Sequence, residues 1–287
     1  KAEVMDVTRV TAEDLAKVRG NTVYKEAASV EAEFPRAAQA FTKSTTVVRE
    51  LSRAVQTGSA IDSPKAKEAA TQITESVSRN PDAMALLVKL QEKRSEILSR
   101  SAEISVTMTI FGRFLQLPPP TLEMLGMLGL LQDVGKLRLP AEIAERGPIN
   151  PAEIEIYRTH VEHSSRIVRE TPGLPEDLHA FVALHHERFN GTGYPRGLKG
   201  DAIALVGQIA GLVDTYDTLT APKPLGEALS PANALSIIYK ERGKLFHAAL
   251  VEQFIQCIGV YPVGSVVELN SGDIGVVITQ NMVRRMQ

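Results

Sequence analysis

Through the first hundred residues, apolar positions recur at helical spacing. They are set in stretches rich in Ala, Glu, Lys, Arg, Ser and Thr. Thr11 precedes a short amphipathic run, residues 12–17, and suits a helix N-cap. Residues 35–55 repeat small and apolar side chains at the same period. Ser63-Pro64 opens a third helix with proline in its first turn, where its missing N–H costs nothing. Asn80-Pro81-Asp82 opens a fourth. Its Met84, Leu86, Leu87 and Leu90, with Ile97 and Leu98 beyond, predict one continuous buried stripe. No chemistry is visible here, so residues 1–100 read as a helical regulatory or packing region.

From residue 101 to 287 the pattern is denser. Residues 122–131 are apolar almost all round, which predicts a core helix ending at Gln132-Asp133-Val134-Gly135-Lys136. Asn150-Pro151-Ala152-Glu153 is an N-cap, a proline at the first position and a glutamate at the third. The helix it opens is expected to carry His160 and His163 on one face. Residues 178–188 predict another helix, bearing His179, His185 and His186. Gly191-Thr192-Gly193-Tyr194-Pro195 must be loop. Residues 203–220 form a further apolar helix that sets Asp214 and Asp217 one turn apart. Helices at 231–241 and 248–258 follow. Residues 265–269 and 275–279 flank Asn270-Ser271-Gly272-Asp273, a hairpin signal. The expected class is all-α, a helical bundle with an N-terminal helical extension and a small C-terminal β-hairpin.

Composition narrows the function. With 32 basic and 34 acidic residues the net charge is −2, which argues against a chain held to nucleic acid by its overall field. Cys257 is the single cysteine, so no intrachain disulfide forms and a cytoplasmic setting is expected. No apolar run approaches the roughly 18 residues that span a bilayer. Residue 1 is Lys, and no stretch pairs a basic start with an apolar core, so no secretory signal is read.

Five of the six histidines lie between 160 and 186. Histidine and aspartate are the usual helix-borne ligands of first-row metals. Asp133, at the end of an apolar helix, is costly to bury unless a cation compensates it.

The order of motifs is Gln-Asp-x-Gly-Lys, His-x-x-x-Ser, His-His-Glu-Arg-x-Asn-Gly-x-Gly-Tyr-Pro and Asp-x-x-Asp. In that order the chain resembles the HD-GYP family of bacterial cyclic di-GMP phosphodiesterases, from about residue 103 to residue 277. The resemblance implies an HD-superfamily bundle and a hydrolase site with two or three metals, usually iron or manganese, acting in signal transduction. One metal position would use an upstream histidine, the histidine of the His-Asp pair, its aspartate and a later aspartate. Those fall on Ile104, Gln132, Asp133 and Asp214. Ile104 and Gln132 are therefore lost ligands, and this position is expected to be empty or weak. The other position would use Asp133, His160, His185 and His186, all present. The expected cofactor is one divalent metal, iron or manganese with zinc as an alternative, or none.

The resemblance also assigns substrate contacts. Lys136 would hold phosphate and, with Asp133, act in catalysis if the protein is active. Arg188, Gly193, Tyr194 and Pro195 would shape the cleft or meet a GGDEF-type diguanylate cyclase domain. A phosphate-gripping arginine falls on Lys223, and the aromatic two residues later falls on Leu225. Asn190 stands where the family has Asp, and so does His247 near Phe246. His163 is expected on a solvated helix face. Three readings follow. The preferred one is a degenerate, catalytically impaired module that binds cyclic di-GMP or a partner domain. The others are a weakly active single-metal phosphodiesterase and a ligand-free interaction scaffold. Homodimerisation through the N-terminal helices is a further expectation; nucleic-acid and membrane partners are not expected.

Overall fold

A computed structural model describes residues 10–90, 97–222 and 227–280. Short-range chemistry sets the helix boundaries. Thr11 and Asp14 cap α1 (Ala12–Val18) reciprocally: Thr11 Oγ1 accepts from Asp14 N, and Asp14 Oδ2 accepts from Thr11 N. α2 (Val30–Thr57) begins one turn earlier than the sequence pattern suggests. Ser29 caps it, and Pro35 is accommodated near its start. Asp62 caps α3 (Ser63–Arg79) by accepting from Lys65 N. Asn80 Oδ1 accepts from Asp82 N and Ala83 N at the head of α4 (Pro81–Leu90). Leu90 is 61% exposed, so the expected buried stripe stops before it. The side chains of Ile97 and Leu98 lie outside the described residues.

α5 (Ile97–Phe114) and α6 (Pro119–Leu131) form the most extensive helix pair, joined by a hydrogen bond from buried Ser105 Oγ to the Gly126 carbonyl (2.8 Å). Past a 3₁₀ turn at Val134–Arg138 come α7 (Ala141–Arg146), α8 (Pro151–Arg158), α9 (His160–Arg169) and α10 (Leu178–Val182). α11 (Leu205–Thr220), α12 (Pro231–Lys240) and α13 (Ala248–Ile258) close the bundle. β1 (Val266–Glu268) pairs antiparallel with β2 (Ile274–Val276), Val266 opposite Val276. The fold is all-α with this small hairpin.

The larger core cluster draws Val47 and Leu51 from α2, Ala70 from α3, Ile104 and Phe111 from α5, Leu128 from α6, Leu212 from α11 and Phe254 from α13. A smaller one joins Phe41, Ile73, Met84 and Val106. The helices before residue 100 thus share apolar surface with those that follow. Glu33 is fully buried in this region. Its carboxylate accepts from Ser76 Oγ and from Arg79 Nε and Nη2, the pairing that a buried charge requires. Among the described residues no helix is long and apolar enough to cross a membrane.

Two helices differ from their sequence outlines. The expected helix from Pro151 breaks at Thr159, so His160 begins α9 rather than continuing α8. The expected helix over 178–188 ends at Val182, and His185 and His186 lie in turns beyond it. Tertiary hydrogen bonds compete with the helix there. The His185 carbonyl accepts from Arg188 Nη1 (3.0 Å), and the His186 carbonyl accepts from Tyr194 N (3.1 Å).

Candidate metal centre

Asp133 stands where α6 runs out and the chain tightens into the 3₁₀ turn. That turn lies directly on α9. A Cβ at Gly135 would fall 2.1 Å from the His160 carbonyl oxygen and 2.5 Å from Ser164 N, so only glycine permits the approach. Gly135 N donates to buried Ser164 Oγ (2.8 Å). Ser164 lies one turn beyond His160, so this bond fixes the histidine's helix against the turn that carries the aspartate.

Two imidazoles face Asp133, and a third packs against them. Donor nitrogens of His160, His185 and His186 all lie within 4.8 Å of one another. His160 Nδ1 meets the Tyr157 carbonyl at 2.6 Å, and His185 Nδ1 meets the Val182 carbonyl at 2.7 Å. A carbonyl only accepts, so both Nδ1 atoms carry the proton and both Nε2 atoms present lone pairs. Those lone pairs face each other at 3.3 Å, and each Nε2 is 3.6 Å from Asp133 Oδ1. Asp133 Oδ1 and His186 Nε2 are buried without a hydrogen-bond partner. With the far nitrogens of His160 and His185 anchored to backbone carbonyls, both rings are held with their lone pairs facing inward, as metal-ligating imidazoles are. Three imidazoles and one carboxylate fit a divalent first-row cation.

Electrostatics keep these groups in the binding state. Burial opposes charge on Asp133, but the Lys136 ammonium, 2.8 Å from Oδ2, holds the carboxyl well below the usual range. Burial, with Lys136 adding repulsion, pushes His160 down to about 3 and His186 well below its ordinary value. His160 and His186 are therefore held neutral, as ligands must be.

The other expected position is poorer in donors. Ile104 is buried in the main core cluster, and Gln132 is fully buried with both side-chain polar atoms unpartnered. Asp214 is buried, and its Oδ1 is also unpartnered. An alkyl group and a neutral carboxamide leave this side with carboxylates alone as strong donors, which do not fit a tightly held transition metal.

A cavity of about 550 Å³ opens beside the histidines, lined by Arg100, Lys136, Arg146, Tyr157, His186, Arg188 and Asp214 among others. Arg188 lies over the Phe246 ring at 5.5 Å, and its Nη1 donates to the His185 and Glu187 carbonyls. The Tyr194 ring stacks on His186 with centroids 4.7 Å apart, and Arg158 covers Tyr194 at 5.0 Å. The Tyr194–Pro195 peptide is cis. Gly193 passes so close to the histidine turn that a Cβ would lie 2.4 Å from the His186 carbonyl oxygen. Asn190 Oδ1 closes the loop locally by accepting from Thr192 N and Oγ1. Lys223 and Leu225 lie outside the described residues. His163, His179 and His247 stay out of the cluster: His163 pairs with Arg166, His179 with the Glu176 carbonyl, and His247 packs on Phe189.

The sequence pattern assigns no role to three contributors. Ser164 supplies the acceptor for Gly135. Buried Glu187 accepts from Arg196 N and Leu198 N, each at 2.8 Å, and so pins the Gly-Tyr-Pro loop. The acidic residue directly after the histidine pair is the available signal for it. Arg100 donates to Asp217 across α5 and α11, and its place in an otherwise ordinary helix gives no such signal.

Residues 84–250 match the family model of the HD domain, HD_5. Over 257 residues the chain is 32% identical to cyclic di-GMP phosphodiesterase PA4108 of Pseudomonas aeruginosa, covering 88% of this chain and 61% of that protein. Over 190 residues it is 27% identical to the cyclic di-GMP phosphodiesterase response regulator RpfG of Xanthomonas campestris pv. campestris, covering 60% of this chain and 50% of that one. The chain thus spans between half and two thirds of the length of these relatives. Bd1817, an HDGYP protein from Bdellovibrio bacteriovorus, shares the fold with a TM-score of 0.63 at 15% identity, over 84% of this chain and 76% of that structure. With the histidine cluster, the Gly-Tyr-Pro loop and the helical order all in place, the chain belongs to the HD-domain family in its HD-GYP form.

Proposed function

We propose that this chain is the HD-GYP part of a cyclic di-GMP signalling protein, a catalytically impaired module that holds one divalent metal and binds the dinucleotide without turning it over. The contrast between two sets of side chains carries this reading. Asp133 faces His160 and His185, and His186 lies close to both histidines, whereas Ile104 and Gln132 offer no strong donor beside Asp214. A divalent metal held by the first set supplies Lewis acidity toward a phosphodiester oxygen and lowers the pKa of water. The chain's own residues do the rest. Lys136 balances Asp133 and presents positive charge at the cleft wall. Arg188 adds charge from a held position, and the loop at Gly193, Tyr194 and Pro195 forms the rim. Its resemblance to GGDEF-contacting loops makes that rim the expected meeting place for such a domain. The helices before residue 100, which share the core with α5 and α6, would relay occupancy.

The unpartnered Asp133 Oδ1 and His186 Nε2 favour, as a second reading, a weak single-metal phosphodiesterase. Incubating metal-loaded protein with cyclic di-GMP and following nucleotides by chromatography separates the two. Linear or monomeric guanylate, lost in His186→Ala, would overturn the impaired-module reading. Calorimetric binding without turnover supports it, and the absence of both leaves a scaffold.

A further inference from the structure

Among the described residues four cations line the cleft. Arg146 is held by Glu153 and Glu142, Lys136 by Asp133, and Arg188 through its Nη1 by two backbone carbonyls. Arg100 is gripped on one side by a carboxylate of the neighbouring helix. Its Nε and Nη2 donate to Asp217 Oδ2 and its Nη2 to Thr218 Oγ1, but Nη1 makes no hydrogen bond among the described residues. Its side chain is 24% exposed, so a ligand in the cleft can reach it.

The position of Arg100 is informative. It lies one turn before Ile104 on α5, and Asp217 lies one turn after Asp214 on α11, a helix packed against α5. The Arg100–Asp217 pair is therefore the adjacent rung of the same interhelical ladder that lacks a donor at Ile104. Burial opposes charge on its guanidinium, but Asp217, Asp214 and Asp133 together outweigh it, so Arg100 holds its proton more firmly than a free arginine.

We propose that Arg100 is a built-in cation that takes over, for binding, part of the charge of the missing divalent ion, its free Nη1 edge holding a phosphodiester oxygen of a cyclic dinucleotide. The identity of that ligand rests on the function proposed above; the anion site rests on Arg100 itself. A planar guanidinium with two edges is suited to this task, since one edge grips Asp217 while the other remains for phosphate.

The test titrates cyclic di-GMP and, separately, inorganic pyrophosphate into wild type, Arg100→Met and Arg100→Lys, with metal bound and after chelation, melting curves confirming folding. Loss of a charge-assisted hydrogen bond predicts about 10- to 100-fold weaker binding of both probes to Arg100→Met, in metal-loaded and chelated protein alike. Arg100→Lys keeps the charge but not the fork and is expected to weaken binding several-fold; it carries the test if the methionine variant does not fold. Wild-type affinity for cyclic di-GMP in the variants overturns this proposal and leaves the proposed function standing. Arg100-dependent binding of pyrophosphate alone removes the dinucleotide reading and leaves the anion site. Binding of neither probe to wild type overturns both.

Discussion

Lys136 Nζ lies 2.8 Å from Asp133 Oδ2, while Asp133 Oδ1 faces His160 and His185 at 3.6 Å each. One carboxylate thus serves two neighbours: one oxygen is neutralised by a fixed ammonium, and the other is left for the metal centre. Removing Lys136 strands a fully buried charge. Lys136→Met is expected to destabilise the chelated protein by about 3–5 kcal/mol, as loss of one partner of a buried pair does. Bound metal compensates Asp133, so the loss should be smaller in the loaded protein. Urea unfolding with and without metal measures both, and equal losses in the two states would contradict the shared role of Asp133.

Metal stoichiometry tests the ligand assignment directly. Wild type purified without chelators is expected to hold about one divalent ion per chain, as one complete donor set allows. His160→Ala or His186→Ala should empty it. Ile104→His with Gln132→His should raise the content toward about two by supplying the imidazoles that the other position lacks. Unchanged metal in the double variant would mean that the lost ligands lie elsewhere.

Acid should weaken the metal-free fold through its histidines. Burial, with Lys136 repulsion, takes His160 down to about 3, whereas an unfolded-chain imidazole titrates near ~6.5. Between those values the unfolded chain binds more protons. Stability is full above the unfolded pKa and falls as pH drops below it, by about 1.4 kcal/mol per pH unit for this residue. His186 shifts the same way, for the same reason of burial. The urea midpoint of chelated protein between about pH 7 and pH 5 reads the slope, and His160→Asn should flatten it. A pH-independent midpoint across that range would contradict the buried neutral state.

Glu187 is the anchor of the Gly-Tyr-Pro loop, through the Arg196 and Leu198 amides. Glu187→Ala removes two hydrogen bonds to a charged acceptor, each worth about 1.5–3 kcal/mol. Hydrogen exchange at residues 193–198 should accelerate by at least about tenfold, while exchange in α6 stays unchanged. Uniform acceleration across the chain would instead indicate a general loss of stability.

Much of this architecture is legible from local chemistry. Thr11, Ser63-Pro64, Asn80-Pro81 and Asn150-Pro151 mark helix starts because caps and first-turn prolines act within a few residues. The donor set is legible because its residues occur in fixed motif order, though its convergence in space is seen only in the structure. What escapes the sequence depends on partners far along the chain. Beyond Val182 the helix does not resume, because the His185 and His186 carbonyls accept from Arg188 Nη1 and Tyr194 N. Leu90 belongs to the periodic stripe yet is exposed, so period alone does not establish burial. Nothing in the sequence marks Arg100, whose partner Asp217 on α11 lies 117 residues away.

Residues 185 to 198 have a consequence for how the protein signals. His186 belongs to the candidate metal centre, its ring stacks on Tyr194, its carbonyl accepts from Tyr194 N, and the next residue clamps Arg196 and Leu198. Ligand and rim are consequently one mechanical part, with no hinge between inner chemistry and outer surface. A partner seated on the rim would sense whether the metal is bound, and the metal would in turn set how stiff a surface that partner meets.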